Sequence, residues 1–186
     1  MGRHEEAIIE AQLATELDPL SASLIFNFGL RLWYIRAYNH ASEQLQKALE
    51  LDPNFVWAHV YLAQVYAWKG RYEESLAECE KVLHLFAGNT YSRALRGLIL
   101  ATAGRKDEVK AILNDLKKQP KLDSSALISL ADTYTVLGEK DEAFDFLERA
   151  YQERVSPLIF LGVYPTLDNI RSDPRFADLL RRMGTQ

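Results

Sequence analysis

The chain has 186 residues, 48% hydrophobic and 26% charged, with a formal net charge of −4 at pH 7, values that suit a soluble protein with room for a sizeable core. That balance excludes a global basic field for nucleic acid, and no apolar run approaches the ~18 residues of a membrane span. The N-terminus, MGRHEEAIIEAQ, lacks the apolar core of a signal peptide, and one cysteine allows no internal disulfide, so a reducing, cytoplasmic location is expected.

In chain order, Gly2–Leu17 reads as a helix with Ala7, Ile8, Ala11, Ala14 and Leu17 on one face. Residues 22–55 give two helices, SASLIFNFGLRLWYIR and HASEQLQKALEL. Residues 56–89 repeat the design around a turn at Lys69-Gly70-Arg71, with Leu62, Val65 and Tyr66 before it and Tyr72, Leu76, Cys79, Val82 and Leu83 after it. Residues 90–123 turn at Ala103-Gly104-Arg105, and here Arg96 fills a slot held elsewhere by Phe28, Leu62 and Leu130. Lys117 and Lys118 suit the C-terminal end of a helix dipole, and Pro120 stops that helix. Residues 124–157 turn at Leu137-Gly138-Glu139.

The tail, 158–186, is punctuated by Pro157, Pro165 and Pro174. A short helical turn is expected near Thr166–Ile170. A capping helix follows, with Asp173 at its N-cap, Pro174 in its first turn and Gly184 at its end. Phe176, Leu179, Leu180 and Met183 line one face of that helix.

Shifted by 34 residues, the chain falls on itself. Gly2, Arg36, Gly70, Gly104 and Gly138 form one series. Gly29, Ala63, Gly97 and Ala131 form a small-residue series, and Leu32, Tyr66, Leu100 and Tyr134 a large apolar one. A fixed period of this size means stacked units, each too small to bury its own faces. Small residues let two helices cross closely, and a bulky one there overpacks by roughly 1–3 kcal/mol.

These series resemble tetratricopeptide repeats. Pro19 and Pro53 keep the proline of that pattern, while Ala87, Lys121 and Val155 have lost it. Its opening tryptophan is replaced by Ile25, His59, Arg93 and Leu127. The resemblance implies an all-α fold, a right-handed superhelical α-solenoid of helical hairpins. The division is a half repeat at 1–21, repeats at 22–55, 56–89, 90–123 (degenerate) and 124–157, and a helical cap at 158–186. A chain that opens on the second helix of a repeat is expected to be a piece of a longer protein, with Met1 added for expression. The uncovered face of the half repeat then predicts self-association. The tail YPTLDNIRSDPRFADLLRRMG also resembles the C-terminal ends of bacterial multidomain signalling proteins, which implies a bacterial source.

No catalytic constellation emerges, so the protein is expected not to be an enzyme and to need no metal or cofactor. His4, His40, His59 and His84 lie apart, without ligand partners at helix spacing, and read as surface or groove residues. Cys79 reads as a buried inert thiol. The pairs Glu73/Glu74 and Asp141/Glu142 open second helices, where they favour the dipole. Arg171, Arg175, Arg181 and Arg182 read as solvated flanks of the cap helix.

In stacks of this family the first helices line the concave face. The groove residues expected are Phe26, Leu30, Trp33 and Tyr34, then Trp57, Val60, Gln64 and Trp68, then Tyr91. Ser125, Ile128, Asp132, Thr135 and Val136 are expected to follow in the last repeat. All three tryptophans fall in this set. Aromatic anchors dominate interfaces, so the groove is expected to bind an apolar partner segment, as an extended peptide or a helix. The alternative is that these rings pack between neighbouring first helices. Relatives that grip a C-terminal carboxylate use Lys and Asn. The matching slots here are Phe26, Leu30, Val60, Gln64, Tyr91 and Leu95, with no basic residue among them, which argues against a chaperone-tail receptor. The function expected is a non-catalytic interaction scaffold with a protein or peptide partner. The alternative is a regulatory or oligomerisation segment of a larger bacterial signalling enzyme or transcription regulator.

Overall fold

The same turn closes four helical hairpins. At each one the residue of the 34-residue glycine series takes a left-handed conformation: Arg36 at φ 65°, Gly70 at 72°, Gly104 at 74° and Gly138 at 82°. The following amide reaches back to the large apolar residue before the turn, Ala37 to Leu32, Arg71 to Tyr66, Arg105 to Leu100 and Glu139 to Tyr134, each at 2.9 Å. The turn residue's own amide bonds one residue further on, as Gly70 does to Ala67 at 3.0 Å. This pair of bonds is the Schellman closure, and it requires positive φ at the turn, which glycine supplies without strain.

The computed structural model describes residues 2–184, with side chains from Glu6 onward except Pro157. Met1 and the side chain of His4 fall outside that description. Among the described residues there are α-helices, two 3-10 segments and no strand. In order they are α1 (Gly2–Leu17), α2 (Ala22–Tyr34), α3 (Tyr38–Leu51), α4 (Val56–Trp68), α5 (Tyr72–Leu85), α6 (Thr90–Thr102), α7 (Lys106–Lys117), α8 (Ser124–Leu137) and α9 (Lys140–Gln152). The 3-10 segments Ser156–Val163 and Pro165–Ile170 follow, then α10 (Pro174–Met183). The chain divides into two compact units, Met1–Leu85 and Phe86–Gln186.

In the first unit each helix packs on the next, α1 on α2, α2 on α3, α3 on α4 and α4 on α5. Ala41, Leu45 and Ala48 of α3 are fully buried. The crossing with α2 is tight, because a Cβ added at Gly29 would lie 3.2 Å from Leu45 Cγ. At the α4–α5 crossing the small-residue pair is polar on one side, and Ser75 Oγ donates to the Ala63 carbonyl at 2.6 Å. On α1, Leu17 does not join the packed face: it is 87% exposed, and Ile9, Leu13 and Leu20 are also exposed.

In the second unit the order changes. α6 packs on α7, but α8 packs directly along α6, and α9 on α8. A polar staple holds the N-termini of α6 and α8 side by side. Thr90 Oγ1 donates to Asp123 Oδ2 at 2.6 Å, the Tyr91 amide donates to the same oxygen at 3.2 Å, and the Asp123 amide donates to Thr90 Oγ1 at 2.7 Å. Asp123 opens α8 yet gives its carboxylate to the neighbouring helix. The Thr90 hydroxyl, ahead of the opposing effect of burial, holds its pKa below the usual carboxylate value.

The 3-10 segment at Ser156–Val163 was not expected. Leu158, Leu161, Tyr164, Leu167 and Ile170 are all buried and recur every third residue. Three residues per turn is the 3-10 period, so within each segment these residues share one face, and Tyr164 lies at the break between the two segments. α10 is capped as expected, with Asp173 accepting from the Arg175 amide at 3.0 Å and Gly184 left-handed at φ 68°. Phe176 and Leu179 are buried, while Leu180 and Met183 are half-buried.

A candidate partner-binding surface

On α4, Trp57, Tyr61, Gln64 and Trp68 are spaced i, i+4, i+7 and i+11, so they share one helix face. Phe26 of α2 leans on this face. Its ring centroid lies 5.8 Å from that of Tyr61 and 4.9 Å from that of Phe55, just before α4. Trp33 meets Tyr61 edge-on at 5.2 Å and Tyr34 at the same distance. Tilted and edge-on pairs at these separations are the favourable arrangements for rings.

Accessibility sorts the residues anticipated from the sequence. Trp57 is 39% exposed and Trp33 is 0% exposed. Phe26, Leu30 and Trp68 are half-buried, whereas Tyr34, Val60 and Gln64 are buried. Trp33 therefore takes the packing alternative and forms the floor of the cluster. Tyr91 lies in the second unit, buried, with its ring 5.9 Å from that of Phe86. Sequence reasoning passed over Tyr61 and Phe55. The position of Tyr61 between Trp57 and Trp68 on the α4 face was the available signal.

The last hairpin offers no such surface. Ile128, Asp132 and Thr135, expected to face a groove, are buried, and only Val136 and Ser125 of that set keep partial exposure. The segment Pro165–Ile170 packs on α8, and Thr166 Oγ1 donates to Asp132 Oδ1 at 2.6 Å. Burial pushes the Asp132 carboxyl up to about 7, against a smaller lowering by the Thr166 bond.

His59 is buried, 3% exposed, and not a surface or groove residue. Its Nε2 lies 2.9 Å from the Pro53 carbonyl and its Nδ1 2.5 Å from Glu78 Oε2 on α5. Both ring nitrogens thus face an acceptor, and the contact with Glu78 ties α4 to α5. Burial raises the Glu78 pKa, but the bonds from His59 and Lys81 outweigh it and hold the group below its ordinary value. The partners are 19 residues apart, beyond any spacing on one helix.

The tail arginines are not merely solvated. Arg175 bonds Asp141 at 2.8 Å and Arg182 bonds Glu148 at 2.6 Å, tying α10 to α9. Arg171 donates to the carbonyls of Gly162 at 2.6 Å and Tyr164 at 2.8 Å. Hydrogen bonds from the Arg175 side chain and backbone lower the Asp173 pKa to about 2. Among the described residues no cluster of His, Cys, Asp and Glu has metal-site geometry, and no helix is long and apolar enough to cross a membrane.

Hairpins with small residues at their crossings, Schellman turns and a helical cap define an all-α solenoid of helix-turn-helix repeats. A family model described as the N-terminal tetratricopeptide repeat region of Psidin matches residues 61–158, more than half of the chain, and a tetratricopeptide repeat model matches residues 37–70. The chain belongs to the tetratricopeptide repeat family, whose members are protein-interaction scaffolds and generally non-catalytic.

No curated protein sequence matches the chain. Solved structures share its fold. One is a tetratricopeptide repeat protein from Parabacteroides merdae, 19% identical with TM-score 0.65, over 99% of this chain and 72% of that one. Another is a thermophilic repeat protein of Thermus thermophilus, 18% identical with TM-score 0.64, over 97% and 92%. A third is YrrB, described as having an unusual peptide-binding site, 21% identical with TM-score 0.51, over 95% and 92%.

Proposed function

We propose that the protein is a scaffold that captures an apolar segment of a partner protein on the aromatic face of α4, with Phe26 and Leu30 of α2 beside it. The observation that carries this reading is Trp57, which is 39% exposed in line with Tyr61 and Trp68. An exposed tryptophan on a rigid helix offers large contact area at little entropic cost, the usual anchor of a protein interface. Trp33 supports the face from below. The likeness to YrrB, a repeat protein described with a peptide-binding site, is in keeping with this use.

A photo-crosslinking residue placed at Trp57 tests it. Crosslinks to one defined partner segment, lost in the Phe26→Ala/Trp68→Ala variant, support the reading. Crosslinks no different from those of a label at Lys47 on α3 reject it.

A second reading rests on Ile9, Leu13, Leu17 and Leu20, which stand exposed on and just after α1. Here the chain is a regulatory or oligomerisation segment of a larger bacterial signalling protein and associates through α1. A mass that rises with concentration and returns to monomer in Leu13→Glu/Leu17→Glu supports it. A concentration-independent monomer rejects it.

A further inference from the structure

Because α8 lies along α6, α7 stands off from it, and a cleft of about 280 Å³ remains between α7, the 119–122 loop, α8 and α9. A second cavity of about 190 Å³ continues it and shares Leu113, Lys117 and Tyr134. Leu116, Leu122, Leu130 and Phe146 join Leu113 and Tyr134 in lining the larger cleft, beside polar side chains at its edge. The Tyr134 and Phe146 rings stack at 5.6 Å with 13° between their planes.

The charges around this larger cleft have one sign. Lys117, Lys121 and Arg149 border it, and no carboxylate is among its lining residues. The smaller cavity mixes Lys106 and Lys110 with Glu139 and Glu142, so the excess of positive charge lies at the larger one. Neither Lys117 nor Lys121 has an ion-pair partner among the described residues. Arg149 has a long contact, 3.7 Å, to the half-exposed Glu153, an arrangement worth little in solvent. In a chain with net charge −4, this is a local reversal of sign beside a cleft that also presents apolar side chains.

We infer that this cleft docks an acidic peptide segment bearing one bulky apolar side chain. The side chain packs on Leu122 and Phe146, the half-buried apolar side chains of the lining, and carboxylates flanking it meet Lys117, Lys121 and Arg149. The volume lies just below the roughly 300–1,000 Å³ of ordinary small-molecule sites, which suits one side chain and its backbone. The two lysines supply charge complementarity, which selects the partner and speeds its encounter. The site lies wholly in the second unit and shares no residue with the aromatic face of α4, so the two proposals stand or fall separately.

Selection of the full chain against a random heptapeptide library tests this, followed by fluorescence titration of the enriched peptide. The expected consensus is a Phe, Leu or Trp flanked by Asp or Glu. The exposed pair Lys117→Glu/Lys121→Glu weakens binding at least tenfold, Leu122→Ser weakens it with the melting temperature little changed, and Trp57→Ala leaves it intact. Binding falls steeply as salt rises. The inference is overturned if no acidic-apolar consensus emerges, or if the lysine reversals leave affinity unchanged. It is equally overturned if a single-stranded oligonucleotide binds as well and displaces the peptide regardless of its apolar residue.

Discussion

The two units are built from one hairpin in one register, yet their first helices are arranged differently. Positions 22 and 55 of the first unit correspond, 68 residues on, to the staple-forming positions 90 and 123. In the second unit they are Thr90 and Asp123, which staple α6 to α8 and bring the two first helices into direct packing. In the first unit they are Ala22 and Phe55, which have no such bond to make. Phe55 instead joins an aromatic cluster with Phe26, and α4 packs on α3. A surface with an exposed tryptophan survives in the first unit, whereas the cap covers α8 in the second. Where the first helices come together, the gap moves to the second helices and appears as the cleft beside α7.

The largest effect expected separates floor from surface within the aromatic cluster. Trp33→Ala removes a fully buried ring and is expected to destabilise the first unit by roughly 3–5 kcal/mol. Trp57→Ala is expected to cost less, roughly 1–3 kcal/mol, since that residue is already 39% exposed. Thermal melting of both variants decides, and equal losses would merge floor and surface into one core.

Next is the carboxyl that replaces a groove residue in the second unit. Asp132 keeps its proton in the folded chain up to about pH 7, whereas in the unfolded chain it ionises near the ordinary value of 3.8. Between these values the folded state binds more protons, so this group's contribution to stability falls as pH rises and is least above pH 7. Asp132→Asn keeps an acceptor for Thr166 and removes the ionisation. The variant is expected to exceed the wild type by roughly 2–4 kcal/mol at pH 8, since each tenfold change in proton affinity is worth about 1.4 kcal/mol, and to match it near pH 4. Parallel curves across that range would show that Asp132 ionises as freely folded as unfolded.

The staple itself comes third. Asp123→Ala leaves the Thr90 hydroxyl and Tyr91 amide without their acceptor, at an expected loss of about 1–2 kcal/mol. Amide exchange is expected to quicken at the start of α6 and leave α2 unchanged. Exchange that quickens equally in α2 and α6 would show that the staple is not what distinguishes the two units.

Two small effects complete the comparison. Arg36 holds the turn position that glycine fills at 70, 104 and 138, at φ 65°. Arg36→Gly is expected to raise stability by about 1 kcal/mol through relief of left-handed strain, and a lower melting temperature would contradict that. Gly97→Ala is expected to gain about 0.5–1 kcal/mol of helix propensity, because a Cβ there meets Ile112 at an ordinary 3.5 Å. At Gly29 the 3.2 Å approach to Leu45 Cγ is expected to cancel that gain. Equal melting shifts for the two alanines would mean that the α2–α3 crossing yields more than its spacing implies.

Sequence by itself determined what depends on local periodicity. Helix faces, the left-handed turn at Gly70, Gly104 and Gly138, the small residues at crossings and the Asp173 cap all follow from spacing and backbone preference. The three-residue stripe from Leu158 to Ile170 is equally legible, but it answers to neither the helical nor the strand period and so escapes a reading built on those two. Tertiary structure alone decided what depends on partners far along the chain. His59 finds Glu78 19 residues away and Thr90 finds Asp123 33 residues away. Trp33 and Trp57 look alike as groove candidates in the sequence, and packing buries one and leaves the other exposed. The reason is physical: a helix face specifies that a residue will be covered or open, but which neighbour covers it is set by how the helices stack.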